Sequence, residues 1–222
     1  MDPTRRLPLF PLPLVLVPDG TQALHIFEPR YRRMVADCVA TGGEFGIVAR
    51  PPDVAERDLP AGHVGCAARI ETLEPLDDGR YNLVARGTWR FALQRIVDDP
   101  APYLVGAVAP YEDEAVVEGD ADLEALAGRV AALFARVAHA AAALQDDRAE
   151  PGDLPADPAR LSFAIAQRLE LELPVRLRLL ATRSARTRLR DLEAVLAGTV
   201  EGLERRAALH RRARTNGHGH HP

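Results

Sequence analysis

Leucines recur at every second position near the start of the chain and predict a strand there. Leu12, Leu14 and Leu16 occupy every second position, which is typical of a strand with one buried face. Three prolines between positions 8 and 13 cannot donate ladder hydrogen bonds, so this strand is predicted to lie at a sheet edge or to form an irregular lead-in. A second short strand is predicted at 23–27.

A helix is predicted to begin at Pro29 and to end at the Gly42-Gly43 pair. Proline suits the first helical turn, because its missing N–H would have no partner there, and glycine is common just after a helix. Glu28 is expected to cap the helix start. Apolar residues at the spacing of one buried face follow, namely Tyr31, Met34, Val35, Cys38 and Val39.

Further strand patterns fill the next seventy residues. They lie at 44–49, 64–70, 81–93 and 103–109. Asp77-Asp78-Gly79 is a hairpin signal before the longest of them. In that strand Trp89 and Phe91 share parity with the leucines and are expected to point inward. Together these patterns predict a strongly bent antiparallel sheet that closes into a partial barrel.

The pattern changes to helices after an acidic stretch at 112–122. Apolar residues from Leu123 to Ala141 repeat at helical spacing, and Asp157-Pro158 and Ser184 are typical helix starts. With a short helix at 175–181, about four helices are predicted.

The predicted fold class is therefore α+β, with a β-rich subdomain followed by an α-helical bundle subdomain. The predicted boundaries are 1–114 for the β-rich part, 115–215 for the helical bundle and 216–222 for a disordered, His-rich tail. The two larger parts are expected to be separable, with proteolytic cuts near 112–120 or 146–156.

The opening segments also resemble a known family. LPLFPLPLVLVP at 7–18, followed by LHIFEPRYRRMV at 24–35, is similar to the start of the substrate-recognition domain of ATP-dependent Lon proteases. The similarity continues through FGIV at 45–48, GTWRF at 87–91 and the Arg188-Leu189 helix, and so covers roughly residues 7–200. The chain most closely resembles the stand-alone bacterial form, without ATPase and protease domains.

This resemblance implies a PUA-like pseudo-barrel and a helical half. It also implies a non-catalytic protein that binds unfolded or exposed apolar polypeptide segments, as an adaptor, a holdase or a regulator, and a protease or chaperone as a further partner. The alternative is binding of RNA or a small nucleotide-like ligand through the barrel. No cofactor is expected, and the oligomeric state is left open.

Composition excludes several other classes. The sequence contains no lysine, so it has no Walker A loop, Schiff-base lysine or Ser-Lys dyad. A net charge of -4 gives no global attraction to nucleic acid, which is not expected as a partner. No continuous apolar run approaches the ~20 residues that span a bilayer, and no signal peptide is evident. We expect a cytoplasmic protein without a membrane span.

Enzymatic and metal sites have little support in the sequence. The two serines, Ser162 and Ser184, lie in helical patterns and outside any Gly-x-Ser-x-Gly motif. A Cys–His enzyme would need Cys38 or Cys66, which are expected to be buried free thiols. No metal site is predicted, because the histidines at 218–221 belong to the tail.

An arginine-rich segment at 175–215 contains 11 arginines against 4 acidic residues. Without Phe, Tyr or Trp it offers no stacking platform for bases, so a structural or intramolecular role is favoured over a phosphate-binding face. Polypeptide is instead expected to dock at the predicted edge at 7–16 and its neighbours. The candidate substrate-binding residues are Phe10, Leu12, Leu14, Phe27 and Tyr31.

Overall fold

The computed structural model describes residues 4–51, 53–117, 119–145 and 152–216, and over these residues it is an α+β fold. The strands are β1 (Arg5–Leu12), β2 (Thr21–Ile26), β3 (Phe45–Ala49), β4 (Val64–Pro75), β5 (Tyr81–Val97) and β6 (Leu104–Pro110). The α-helices are α1 (Pro29–Thr41), α2 (Ala121–Leu144), α3 (Pro158–Arg168), α4 (Leu173–Ala181) and α5 (Ala185–Asn216). A short 3₁₀ helix covers Glu56–Asp58. Nearly all of the predicted tail lies outside the described residues.

The contacts divide the chain into two compact units. The first contains the residues up to Glu114 and also Ala166–Arg183, and the second contains Ala115–Ile165 and the residues from Ser184 onward. The sequence predicts one division, at 114/115. The contacts divide the chain at that point and also at 165/166 and 183/184. Helix α4 therefore groups with the strands, and the second unit is built on α2, α5 and most of α3.

The six described strands form one sheet whose order is β2-β5-β4-β3-β1-β6. β5 also pairs with β6, which closes five of the strands into a ring and leaves β2 outside it. This closure matches the predicted partial barrel, but the sheet is mixed, because β1 and β3 are parallel. Parallel neighbours need a long crossover, and the stretch between them that contains β2 and α1 supplies it.

The prediction of an edge strand at 7–16 is wrong, because β1 lies between β3 and β6. The pairing is staggered: β6 pairs with residues 5–9 and β3 with residues 9–12. Each half of β1 therefore has one paired flank, so Pro8 and Pro11 can be accommodated without removing a donor that the ladder needs. β1 ends at Leu12, and the alternation beyond it does not form a strand.

The ring interior is packed around Phe91, whose side chain is fully buried, as predicted. Glycines on two neighbouring strands make room for it: a Cβ at Gly65 would lie 2.5 Å from Phe91 Cζ, and one at Gly46 would lie 2.7 Å from it. Trp89 has the same parity but is only partly buried. The strand therefore turns one aromatic ring fully inward and leaves the other at the rim.

Helix α1 buries four of its five predicted residues. Tyr31, Met34, Val35 and Cys38 are buried, whereas Val39 is 52% exposed and its predicted burial is wrong. Pro29 occupies the first turn, and Gly42 ends the helix at a φ of 61°, as the sequence predicts.

In the second unit, α2 and α5 run in the same direction. Arg129 Nε lies 3.0 Å from Glu193 Oε1, and farther along both helices Arg136 Nε lies 2.9 Å from Glu204 Oε1. By length and composition alone, α2 could cross a bilayer, and 33% of its most apolar stretch is buried in the structure. The continuous-run criterion missed this helix because arginines interrupt it. Core helices of soluble proteins meet the same length and composition test, so this is weak evidence for a membrane span.

Candidate functional site

Two of the predicted binding residues belong to the core. Phe10 and Tyr31 are 6% and 4% exposed, and their ring centroids lie 4.1 Å apart. This contact joins β1 to α1. Neither ring is available to an incoming polypeptide in the folded protein. Leu12 and Leu14, at and just beyond the end of β1, are half-buried.

Phe27 is different, because it is 60% exposed and lies directly after β2. Its ring stacks against the imidazole of His25 at a centroid distance of 6.1 Å and an interplanar angle of 25°. It is the one aromatic residue among the large apolar side chains that the described chain exposes, the others being Val39, Val116, Val117 and Leu209. Exposed aromatic rings of this kind are typical anchors of binding surfaces.

Phe27 extends from the strand that forms the free edge of the described sheet. β2 pairs with β5 alone, in antiparallel register from Thr21↔Arg86 to Ile26↔Tyr81. The sequence predicts that β1 forms the edge of the sheet, but in the structure the edge strand is β2. The local sequence pattern could not show which of these two strands lies at the edge, because prolines indicate missing hydrogen-bond donors but do not show which strands become neighbours.

The outer face of β2, β5 and β4, which are successive strands of the sheet, carries two cross-strand rows. The first row is small and mostly apolar and consists of Ala23, Val84 and Thr72; the second is polar and consists of His25, Asn82 and Glu74. A cavity of about 480 Å³ lies against both rows. The apolar row could contact an apolar side chain of a bound molecule in this cavity, and the polar row lies along one side of the same cavity.

The polar row is a directed chain of hydrogen bonds. His25 Nδ1 lies 2.8 Å from Asn82 Oδ1, an acceptor, so Nδ1 is the donor. Nε2 then accepts from Arg80, whose guanidinium lies 3.3 Å away, and Asn82 Nδ2 donates to Glu74 at 3.1 Å. These bonds fix the imidazole against which Phe27 stacks.

The charged residues that follow Phe27 form an ion cluster. Arg30 donates to Glu28 at 3.0 Å and to both oxygens of Glu56 at 2.6 and 2.8 Å. The bond with Glu56 raises the pKa of Arg30, and burial raises the pKa of Tyr31. The prediction that Glu28 caps α1 is wrong for its side chain, which binds Arg30, although its carbonyl accepts from the first turn. The cluster fixes the start of α1 directly beside Phe27.

The candidate nucleophiles do not form a catalytic arrangement. Burial raises the pKa of Cys38 to about 11 and that of Cys66 to about 12, so both thiols stay protonated near neutral pH. Ser162 is buried and accepts a hydrogen bond from Arg188 at 2.8 Å. Ser184 Oγ accepts from the backbone N–H of Thr187, as predicted for a helix cap.

Metal and phosphate sites gain no support from the described residues. No group of three or more His, Cys, Asp or Glu in the described part of the chain could hold a metal ion, and the histidines at 218–221 lie outside it. Several arginines of the basic segment bind inside their own unit. Arg176 and Arg183 donate to backbone carbonyls, Arg186 pairs with Asp120 at 2.5 Å, and Arg188 is fully buried.

A second cavity, of about 400 Å³, lies beside the last turn of α1. The Cζ atom of Arg5 lies 5.3 Å from the centroid of the Trp89 ring. Trp89 Nε1 donates a hydrogen bond to Glu44 at 2.8 Å. Tyr103 donates to Asp37 on the opposite side at 2.9 Å. Because an aromatic ring and a guanidinium line this cavity, the alternative of a small nucleotide-like ligand can be tested here.

Comparison with known proteins assigns the chain to a family. The family model of the ATP-dependent protease La (LON) substrate-binding domain matches residues 6–197. The chain belongs to the Lon substrate-binding domain family. The matched family is defined by substrate binding rather than by catalysis.

Individual relatives agree with this assignment. The chain is 27% identical over 189 residues to the Lon protease of Anaeromyxobacter dehalogenans (strain 2CP-C), covering 83% of this chain and 22% of that protein. It is 31% identical over 159 residues to Lon protease 2 of Myxococcus xanthus, covering 67% and 19%. The chain thus spans about a fifth of the length of these curated relatives.

Solved Lon domains have the same fold. A Lon N-terminal domain protein from Xanthomonas campestris superposes with a TM-score of 0.59 at 30% identity, covering 86% of this chain and 98% of that one. The N-terminal domain of a Mycobacterium avium complex Lon protease superposes with a TM-score of 0.66 at 18% identity, covering 87% and 98%. The second likeness supports the fold alone.

Proposed function

We propose that this Lon-type domain binds exposed apolar segments of other polypeptides at β2 and Phe27, without chemistry of its own. The observation that carries the proposal is Phe27, an aromatic ring 60% exposed at the end of a free sheet edge. Leaving such a ring in water is unfavourable by roughly 2 kcal/mol, so a partner that covers it gains affinity. Family membership supports a protein substrate rather than a small molecule.

In the cell, such a domain would act in the cytoplasm on unfolded or partly unfolded proteins. It would hold them, or deliver them to a protease or a chaperone. The described residues offer two buried, protonated thiols and no serine arranged as a nucleophile, which supports a binding role over an enzymatic one. Adaptor, holdase and regulator share the same first step, which is capture of an apolar segment.

The first prediction concerns Phe27→Ala. We expect this variant to bind carboxymethylated, permanently unfolded α-lactalbumin about thirtyfold more weakly, because losing an aromatic anchor costs about 2 kcal/mol. Fluorescence anisotropy of the labelled protein measures the affinity. Circular dichroism should show an unchanged fold, since the ring has few buried contacts to lose.

The matched control is Leu209→Ala in α5, which removes a side chain that is 64% exposed in the other unit. It should bind as the unaltered protein does. Equal affinity of the Phe27 variant and the control would remove this surface from consideration, and no measurable binding by the unaltered protein would refute polypeptide recognition itself.

A further inference from the structure

We infer that the polypeptide docks by adding a strand to β2, so that its backbone is recognised as well as its apolar side chains. This inference rests on the proposed function and specifies its mode. The segment so recognised is extended, free of proline, about five residues long, and carries a bulky apolar residue beside Ala23. The inference depends on the direction of the β2 backbone groups, on the composition of the edge and on the face beside it.

Alternate residues of β2 direct their backbone groups away from the sheet. The carbonyl of Gly20 accepts from the N–H of Gly87 in β5, so by parity the backbone N–H and C=O groups of Gln22, Leu24 and Ile26 also point toward β5. The backbone groups of Thr21, Ala23 and His25 consequently point away from the sheet. Side-chain amides donate to two carbonyls on that flank: Gln167 Nε2 donates to the Thr21 carbonyl at 3.0 Å, and Gln22 Nε2 donates to the Ala23 carbonyl at 2.9 Å.

These two side-chain amides determine how much of the β2 edge an added strand can pair with. Gln167, at the end of α3, belongs to the same unit and occupies the first outward carbonyl. Gln22 is local and can release the Ala23 carbonyl by a side-chain rotation. The outward groups from Ala23 to His25 and the adjoining Phe27 then offer an edge of five residues.

The edge lacks the features that keep other strands from pairing. Natural edge strands usually carry charges, prolines or bulges, which block the addition of another strand. The segment Thr21–Ile26 contains no Asp, Glu, Arg, Lys or Pro, and it pairs with β5 in unbroken register. An unprotected edge that ends in an exposed aromatic ring is suited to strand addition.

The face beside the edge sets the preferred side chains. A residue added next to Ala23 would continue the row formed with Val84 and Thr72, over the cavity of about 480 Å³. Because Ala23 presents only a methyl group, a bulky apolar side chain fits there better than a small one. A residue two positions along would lie beside His25 and Phe27.

The occupant is another polypeptide rather than a second copy of this chain. Two β2 strands could pair only over about five residues, which is far less surface than the roughly 1,000 Å² that stable interfaces bury. A short extended segment, in contrast, needs only the backbone groups and the one cavity. A dimer in solution that the β2 variant below abolishes would overturn this choice.

The second prediction tests the backbone contact with Ala23→Pro. Proline there removes an outward N–H and leaves the bonds to β5, so the fold should persist while binding falls about tenfold. Ala23→Gly is the matched control, because it keeps the N–H and leaves the space beside position 23 open, so it should bind the peptide as the unaltered protein does. The probe is a fluorescein-labelled peptide with a Val-Thr-Phe-Thr-Val core, compared with the same peptide N-methylated at every core residue.

Amide exchange measured by NMR gives a second readout that does not depend on the variant folding. In the unaltered protein, peptide should protect the amides of Ala23 and His25 severalfold, while those of Leu24 and Ile26 are already protected by β5. Binding of the N-methylated peptide as tightly as the plain one, or unprotected outward amides in the complex, would refute strand addition while leaving polypeptide recognition intact. Absence of binding by unfolded α-lactalbumin would instead refute the proposed function.

Discussion

Arg90 shows what a single residue can conceal from sequence reasoning. Its parity in β5 assigns it to the polar face, yet it is 5% exposed. Its guanidinium donates to the carbonyls of Leu180 at 2.6 Å and Thr182 at 2.9 Å, at the end of α4, and it pairs with Asp113. An arginine that satisfies helix-end carbonyls has no local signature, because its partners lie ninety residues away.

The third prediction follows from that burial. Arg90→Met should lower the free energy of unfolding by about 3 kcal/mol, because it removes a buried guanidinium that donates to two carbonyls and pairs with a carboxylate. Urea titration monitored by circular dichroism measures it. Arg95→Met, at an exposed position of the same strand, is the control and should change stability by less than about 0.5 kcal/mol. A similar small change for Arg90 would contradict the role assigned to it.

At the scale of elements, local signals predicted what local chemistry determines. Pro29, Gly42 and the Asp77-Asp78-Gly79 turn mark boundaries that the structure reproduces, because capping and turn preferences act within a few residues. The place of β1 could not be predicted in the same way. Its neighbours are β3 and β6, and the second of these is about a hundred residues away in the chain.

The fourth prediction compares two glycines whose replacement by alanine should change the stability of the protein in opposite directions. Gly65→Ala should destabilise the protein by about 2 kcal/mol, because the new Cβ would lie 2.5 Å from Phe91 Cζ and 2.8 Å from the carbonyl oxygen of Ile47. Gly128→Ala, in α2, meets nothing within 4 Å and should stabilise its helix by about 1 kcal/mol. Thermal unfolding of both variants distinguishes them, and a shift in the same direction would contradict this account.

At the scale of the molecule, the composition change near 112 indicated one division but not the return of the chain to the first unit. Residues 166–183 rejoin it through Gln167, through the α4 carbonyls that Arg90 binds, and through Tyr111, which donates to the Ala181 carbonyl at 2.8 Å. These are backbone acceptors, which any sequence supplies, so the pattern of side chains carries little trace of them. That the two parts fold separately stays a prediction.

The fifth prediction is that one proteolytic cut at 146–156 does not release the C-terminal piece. Residues 166–183 belong to the same unit as those up to Glu114, so the nicked chain should elute from gel filtration at the volume of the intact protein and separate only in urea. Two peaks under native conditions would show that the contacts of α4 are too weak to hold the unit together. An uncut sample treated in parallel is the control.

The staggered pairing of β1 has a consequence for how the chain is made. This strand leaves the ribosome about a hundred residues before its partner β6, and the unit is complete only at Arg183. At bacterial synthesis rates this delay lasts on the order of 10–30 s. Leu9 and Phe10 spend that time without their native neighbours. During translation, β1 therefore exposes apolar side chains of the kind that the finished protein is proposed to capture, although Pro8 and Pro11 exclude it from strand addition at β2.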